Sequence, residues 1–197
     1  MSLWTLKNII RGLVFTFILS ACEGRENKEI LNPLYFDING LITSQISLLD
    51  SLKPGLNKSL TFDKVTEEQA SPKVNWQQEL EIFKEADINS PVLRETYQVK
   101  EEKGKRTTTI HYLPIEDKNK GVVKLSITYD ANKKLKSIHC KITSNNWLYS
   151  FERDLELFFS NEKNLELLQG FSIKNSQEIL FKKKDQSKLK ANIIFSS

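Results

Sequence analysis

The 197-residue sequence has few of the residues whose abundance would assign it to a class at once. Its seven glycines and five prolines exclude collagen-like chains and glycine- or proline-rich low-complexity chains. Two cysteines allow at most one intramolecular disulfide. A net charge of +4 is too small for a dedicated nucleic-acid-binding protein, so no nucleic-acid partner is expected. With 39% hydrophobic and 27% charged residues, the composition is that of an ordinary folded domain.

Long hydrophobic runs are also missing. The apolar run near the amino terminus has about ten residues, whereas a helix needs about 20 to cross a bilayer. It follows two positive charges, Lys7 and Arg11, and small residues come after it. This is the layout of a secretory signal peptide, whose positive charges stay on the cytoplasmic side during export.

The run ends in Leu19-Ser20-Ala21-Cys22, which resembles the lipobox of bacterial lipoproteins. The resemblance implies that the bond between Ala21 and Cys22 is cut and that Cys22 is lipidated. An ordinary signal peptide, or an N-terminal core helix with an incidental cysteine, is the alternative. Several acyl chains anchor a protein stably, whereas one binds only marginally. We therefore expect a removed signal peptide over residues 1–21 and a location in the bacterial cell envelope, on a membrane that the sequence leaves undetermined.

Residues 22–31 are polar and charged, and predict a lipidated tether ahead of a single domain over residues 32–197. Cleavage would leave Cys140 as the one thiol of the mature chain, which excludes an intramolecular disulfide. Asn32-Pro33 is predicted to start a helix, with the asparagine as N-cap and the proline at the first helical position. Apolar residues then recur at three- and four-residue spacing, and the helix is expected to stop before Pro54-Gly55.

The rest of the N-terminal half predicts one strand and one further helix. The strand covers residues 58–66, where Leu60 and Phe62 alternate with polar neighbours. The helix begins after Ser71-Pro72, and its apolar face consists of Trp76, Leu80 and Phe83.

From Leu93 onward the apolar period changes to two and predicts seven or eight consecutive strands with short polar turns. The clearest strand carries Val123, Leu125, Ile127 and Tyr129 on one face. Two helices followed by a run of strands favour an α+β fold, in which the N-terminal helices pack on a curved antiparallel β-sheet meander. A partly open β-barrel is the alternative.

The histidines and Cys140 predict no catalytic or metal site. Adjacent strand residues point to opposite faces, so Cys140 is expected to be buried beside Ile138 and Ile142, out of reach of His139 as a base. His111 and His139 have no further ligand at zinc spacing. We therefore expect no catalytic residue, no metal and no cofactor.

Two groups of residues suggest ligand contacts instead. The aromatic side chains Trp147, Tyr149 and Phe151 are predicted to share a strand face and to line an apolar pocket for a lipophilic ligand. Basic residues are predicted at two hairpin tips, within 100–106 and at 182–184. If both tips lie at one end of the sheet, they could contact anionic lipid headgroups.

The segment Trp76-x-x-Glu79-Leu80-x-x-Phe83-x-x-x-Asp87-Ile88-Asn89-x-Pro91 is similar to part of uncharacterised lipoproteins from Bacteroidota-type bacteria. The match is limited to residues 76–91, and those proteins imply no activity. In physical terms, the apolar residues of the segment pack a helix, and Asp87 and Asn89 shape the turn after it.

Together these features predict a membrane-anchored envelope protein that binds rather than catalyses. Its partners are expected to be the membrane, through lipid on Cys22, and an envelope protein or a lipophilic ligand. One alternative is an enzyme with a scattered active site, which would need polar side chains with shifted pKa values to converge in a pocket. The other alternative is a purely structural surface protein.

Overall fold

The computed structural model describes residues 33–116, 120–162, 165–180 and 184–195. The predicted signal peptide, its cleavage site at Ala21 and Cys22, the tether and the proposed N-cap Asn32 lie outside these residues. Within the described ranges, no helix is both long enough and apolar enough to cross a membrane.

The described residues form nine strands, two α-helices and two short 3-10 helices, which we call η1 and η2. In chain order they are α1 (Ile38–Leu52), β1 (Gly55–Phe62), β2 (Val65–Ser71), α2 (Trp76–Leu80), η1 (Glu81–Ala86), η2 (Pro91–Leu93), β3 (Tyr97–Lys103), β4 (Thr107–Pro114), β5 (Lys120–Asp130), β6 (Leu135–Asn145), β7 (Tyr149–Glu162), β8 (Leu165–Ile179) and β9 (Asp185–Ile194).

All nine strands form one antiparallel sheet in the order β2-β1-β9-β8-β7-β6-β5-β4-β3. After the β1–β2 hairpin, the chain passes through α2, η1 and η2 to the opposite edge and enters β3. Seven strands then return as a meander, so that β9 ends beside β1. The last strand of the chain therefore joins the N-terminal hairpin to the rest of the sheet.

The predicted α+β class, with helices packed on a sheet, is wrong. Strand accounts for 58% of the structure and helix for 19%, so the fold is all-β-like. The N-terminal half contains a hairpin where one strand was expected, because Asp63 adopts a left-handed φ of 52° and turns the chain into β2. The described ladder has two edges, β2 and β3, so it is not a closed barrel, and the alternative of a partly open barrel stays a prediction.

β2 escaped prediction because it is an edge strand with six exposed residues in seven, and it carries no apolar alternation. The predicted second helix is α-helical only from Trp76 to Leu80 and continues as the 3-10 helix η1. Its N-cap is Asn75, whose side chain accepts a hydrogen bond from the backbone N–H of Gln78. The predicted apolar face is confirmed, since Trp76, Leu80 and Phe83 are buried.

α1 begins later than the sequence predicts and ends where it predicts. Asp37, not Asn32, is the N-cap, and its carboxylate accepts a hydrogen bond of 2.8 Å from the backbone N–H of Gly40. The helix ends at Lys53, whose left-handed φ of 50° lets its N–H bond to the carbonyl of Leu49 ahead of Pro54.

Gln45 of α1 bonds to backbone groups of β8 that lie before the β8–β9 pairing begins at Gly170, close to an irregularity in the sheet. The pairing of β7 with β8 shifts between Phe158 and Phe159. There the Gln45 amide donates to the carbonyl of Glu166 and accepts from the N–H of Leu168, both at 2.9 Å. Because Gln45 is only 4% exposed, both bonds lie largely out of water.

The two sides of the sheet differ in composition, and we call them the core face and the open face. The core face carries side chains that are at most 3% exposed, among them Leu125, Ile127, Ile138, Cys140, Leu155, Leu157 and Phe171. The buried Cys140 confirms the predicted alternation of β6. In β5 a bulge after Val122 places Val122 in the core instead of Val123, which corrects the predicted face of that strand.

Candidate functional site

The open face carries a line of polar residues that crosses the whole sheet, with one residue from each strand. Each member is directly opposite the next one in the ladder. We call this line the polar row, and it consists of Lys100, His111, Ser126, His139, Glu156, Ser172, Lys190, Ser59 and Glu68.

Both histidines of the protein are in the polar row, on either side of Ser126. His111 Nδ1 is 2.9 Å from Ser126 Oγ, and its Nε2 is 3.1 Å from Glu102 Oε2. His139 Nε2 is 3.1 Å from Asp154 Oδ1. Ser126 is 6% exposed, so these contacts place a nearly buried hydroxyl against an imidazole.

The chain of contacts from Ser126 through His111 to Glu102 has the order of a nucleophile, a base and an orienting acid. Acyl transfer also needs hydrogen-bond donors aimed at the developing oxyanion. Ser126 lies inside β5, where the backbone pairs with β4 and β6 on both sides. Neither it nor His111 lines the five best-formed clefts of the described residues. The geometry accounts for a satisfied buried hydroxyl.

Cys140 faces the core, on the opposite side of β6 from His139, as predicted. Burial raises the pKa of its thiol to about 12, and this disfavours the reactive thiolate. The other raised pKa values belong to Tyr97, Tyr112 and Tyr129, and burial is again the main cause. Across the described ranges, no group of three or more potential ligands could hold a metal ion.

The three aromatic residues predicted to line a pocket are not brought together around a cleft. Trp147 is 84% exposed in the turn between β6 and β7. Tyr149 and Phe151 are partly buried on β7, and the guanidinium of Arg153 lies 5.1 Å from the centre of the Phe151 ring. The five clefts described here are lined by other residues.

A cleft of about 330 Å³ lies where β7, β8 and β9 meet the open face, and we call it the lysine cleft. Its lining includes Lys174, Lys188, Lys190, Ser172, Glu156 and Phe158. The sequence analysis missed it because its lysines come from two strands that only the register brings together. The available signal was the Lys-x-Lys alternation at 188–190, which places both side chains on one strand face.

One end of the sheet is unusually apolar, and we call it the apolar end. The connections β1–β2, β4–β5, β6–β7 and β8–β9 and the start of β3 all lie there, because neighbouring strands are antiparallel. A backbone hydrogen bond of 2.9 Å from Leu180 to Leu148 joins two of these connections. Its exposed large side chains are Phe62, Val65, Val92, Ile115, Trp147, Leu148 and Leu180.

The two predicted basic tips lie at opposite ends of the sheet. The β3–β4 turn, with Lys105 and Arg106, is at the end away from the apolar end, whereas the β8–β9 connection belongs to the apolar end. Residues 182 and 183 are outside the described chain. A joint contact of both tips with one membrane surface is therefore excluded by the strand order.

The described chain begins close to the apolar end. Tyr35 packs edge-to-face on Tyr97 and Tyr112, with ring centres 5.8 and 5.7 Å apart, and its hydroxyl lies 3.3 Å from the carbonyl of Tyr97. Tyr97 is the first residue of β3 and therefore marks that end of the sheet. Pro33, two residues before Tyr35, enters the domain there.

Comparisons with protein-family models, with curated proteins and with solved structures give no match for this chain.

Proposed function

We propose that this protein is a lipid-anchored binding module of the bacterial cell envelope that works at a membrane surface without catalysis. Its expected partner, besides the membrane, is an envelope protein or a lipophilic ligand. The observation that carries the proposal is the apolar end of the sheet, with the described chain entering the domain beside it.

The length of the tether supports this orientation. Even fully extended, residues 22–32 span at most about 40 Å. Lipid on Cys22 would therefore keep Pro33, and the sheet end beside it, within that distance of the bilayer. The orientation rests on the predicted lipobox and on the position of Tyr35 against Tyr97.

The chemistry of the apolar end suits the lipid–water interface. Single exposed apolar residues are common on soluble proteins, but a group of large ones at one end of a domain marks a contact surface. Tryptophan, with an apolar ring and a polar N–H, is enriched at membrane interfaces. Exposed lysines and carboxylates occur together at this end, for example Lys64 beside Asp63, so the apolar side chains supply the attraction.

The lipid anchor is tested by Cys22→Ala in cells. The variant should leave the membrane fraction and lose its lipid, whereas Cys140→Ala, which changes the buried thiol, should remain attached. A Cys22→Ala protein that still fractionates with membranes as a lipidated species would overturn the proposed anchor.

Contact of the apolar end is tested separately with vesicles and the unanchored Cys22→Ala chain. The sequence has three tryptophans, and Trp4, in the predicted signal peptide, is replaced by Phe for this measurement. Trp147 is 84% exposed and Trp76 only 2%, so vesicle binding should shift Trp147 fluorescence to shorter wavelength. Adding Trp147→Ser and Leu148→Ser should weaken vesicle binding at least tenfold, because fully burying one large apolar side chain contributes about 1.5–3 kcal/mol and about 1.4 kcal/mol is a tenfold change in affinity. Ile194→Ser, at a 47% exposed residue that ends β9 at the opposite end of the sheet, is the matched control. Equal binding by all three proteins would contradict a contact through this end.

One observation favours a second candidate, an enzyme of the open face. The hydrogen-bonded contacts from Ser126 to His111 and Glu102 are those of an activated hydroxyl. A hydrolase using them would cleave chromogenic esters and lose that activity in Ser126→Ala, with membrane attachment unchanged. Absence of ester hydrolysis by the intact protein would remove this candidate.

A further inference from the structure

We propose that the lysine cleft binds a phosphate-bearing anion. This inference gives a ligand class to the binding module proposed above and rests on that proposal, but it uses a different part of the molecule. The site lies on the open face, whereas the membrane contact lies at the apolar end. The two can therefore fail independently.

Of the three lysines of the cleft, Lys174 faces carboxylates, namely Glu156 at 3.8 Å and Asp154 directly opposite on β7, whereas the two lysines of β9 carry positive charge without such a partner among the described residues. Lys174 of β8 lies directly opposite Lys188 of β9, and like charges directly opposite in a sheet destabilise it. Among the described residues, neither Lys188 nor Lys190 has an ion-pair partner. A bound anion would relieve this repulsion.

Ser172 supplies an independent sign of a missing ligand. It is only 3% exposed, and its hydroxyl has no hydrogen-bond partner within the part of the chain that the structure describes. Buried hydroxyls are normally paired, because an unpaired one loses its hydrogen bond to water without replacement. Ser172 is directly opposite Lys190 in the ladder and lines the same cleft. Its side chain therefore lies on the same face of the sheet as Lys188 and Lys190, at the floor of the cleft.

The cleft also contains one acid, and its contacts are compatible with an anionic ligand. Glu156 Oε1 is 3.8 Å from Lys174 Nζ, so this carboxylate already faces an ammonium group. Counting Glu156 against the three lysines leaves a net charge of +2, which matches the dianionic form of a phosphate monoester. The amide of Asn192 lines the cleft as well and adds hydrogen-bonding groups.

The size and the edge of the cleft indicate that the phosphate belongs to a larger molecule. A volume of about 330 Å³ exceeds that of a single phosphate group. Phe158, which is 44% exposed, lines one side and could contact an apolar substituent. Phosphate of this kind occurs both in lipid headgroups and in water-soluble phosphate esters, and the experiment separates the two.

The test uses the full-length Cys22→Ala chain and two probes with the same headgroup. Glycerol phosphate has no acyl chain, and lysophosphatidic acid, kept below its micelle concentration, has one. Calorimetric titration should show binding of lysophosphatidic acid or of both probes. Replacing both Lys188 and Lys190 by Gln should weaken binding about tenfold or more, since each charge-assisted hydrogen bond to phosphate contributes on that scale.

The matched control is Lys105→Gln. Lys105 is an exposed lysine in the β3–β4 turn, at the β3 edge of the sheet and away from β7, β8 and β9. This substitution should leave the affinity unchanged. Equal weakening by the control would indicate diffuse charge attraction and overturn the site, as would the absence of binding to both probes. Stronger binding of lysophosphatidic acid assigns the site to a lipid headgroup, and equal binding of the two probes assigns it to soluble phosphate esters.

Ser172→Ala separates ligand binding from a structural role. The variant removes a buried unpaired hydroxyl, so its thermal stability without ligand should be equal or higher, while its affinity for the bound probe falls several-fold. Lower stability together with unchanged affinity would show that Ser172 only supports the fold, and would contradict its part in the site. This outcome is independent of membrane attachment, which Cys22→Ala tests alone.

Discussion

The core face and the open face are formed by the same nine strands. They differ in the kind of contact that their side chains make. On the core face, apolar side chains from neighbouring strands face each other, as Leu125 faces Cys140 and Cys140 faces Leu155. On the open face, polar residues have specific partners only where the register aligns them, as it does for His111 and Ser126. The first face determines stability, and the second is free to carry recognition.

Two adjacent residues of β5 test this difference most strongly. Leu125 is fully buried on the core face, and Leu125→Ala should lower the free energy of unfolding by about 2–5 kcal/mol. Lys124 points to the open face opposite Lys141, so Lys124→Ala should change it by less than about 0.5 kcal/mol. Urea denaturation measures both values. Equal effects would show that the open face contributes to stability as the core face does.

Two glycines test how tightly the sheet is packed at its irregularity. A Cβ at Gly170 would lie 2.5 Å from the carbonyl oxygen of Ala191, so Gly170→Ala forces β8 and β9 apart. We expect a loss of about 1–3 kcal/mol. At Gly55 the nearest atom is 3.5 Å away, an ordinary contact, and Gly55→Ala is the matched control. Thermal denaturation should place Gly170→Ala clearly below the control, and similar melting temperatures would contradict the close approach.

The smallest expected effect concerns alkaline pH and the core face. Burial raises the pKa of Cys140 from 9.0 to about 12. Between these values the unfolded chain loses the thiol proton and the folded chain keeps it, so stability falls as the pH rises above 9. The loss should be about 1 kcal/mol by pH 10. Tyr97, raised from 10.0 to about 12, adds to it at higher pH.

The control for the alkaline effect is Cys140→Ala. Its stability should fall less steeply between pH 9 and pH 10 than that of the parent protein, in urea denaturation at matched salt. An identical slope would mean that the thiol does not titrate on unfolding. A thiol-reactive dye should also label the folded parent slowly, because Cys140 is 1% exposed.

Local sequence pattern predicted the core face well and the architecture poorly. Three features could be predicted because each depends on neighbours in the sequence. They are the alternation of Ile138 and Cys140, the apolar face of Trp76 and Leu80, and the end of α1 before Pro54. β2 could not be predicted, because an exposed edge strand has no buried face and therefore no alternation of apolar and polar residues. The fold class was wrong for another reason: the strands take up 58% of the structure and the helices 19%, a balance that the periodicity of short segments did not show.

The positions of the candidate site residues relative to one another depend even more on pairing between distant parts of the chain. Sequence analysis identified the two histidines but could not align them with Ser126, since their pairing comes from the register of β4, β5 and β6. The lysine cleft likewise needs Lys174 and Lys188 on neighbouring strands. Val123 was wrongly placed on the core face because a bulge after Val122 shifts the face of β5 without an obvious mark in the sequence.

The strand order also has a consequence for how the chain folds. β1 is made early in synthesis, yet its partner on the sheet side is β9, the last strand. Contacts so far apart in sequence must await closure of a very long loop, and such high contact order slows folding to milliseconds or longer. One edge of β1 in the β1–β2 hairpin therefore stays unpaired until β9 has been synthesised and can pair with it. A chain truncated before β9 would leave two unpaired edges, on β1 and on β8, and would tend to aggregate.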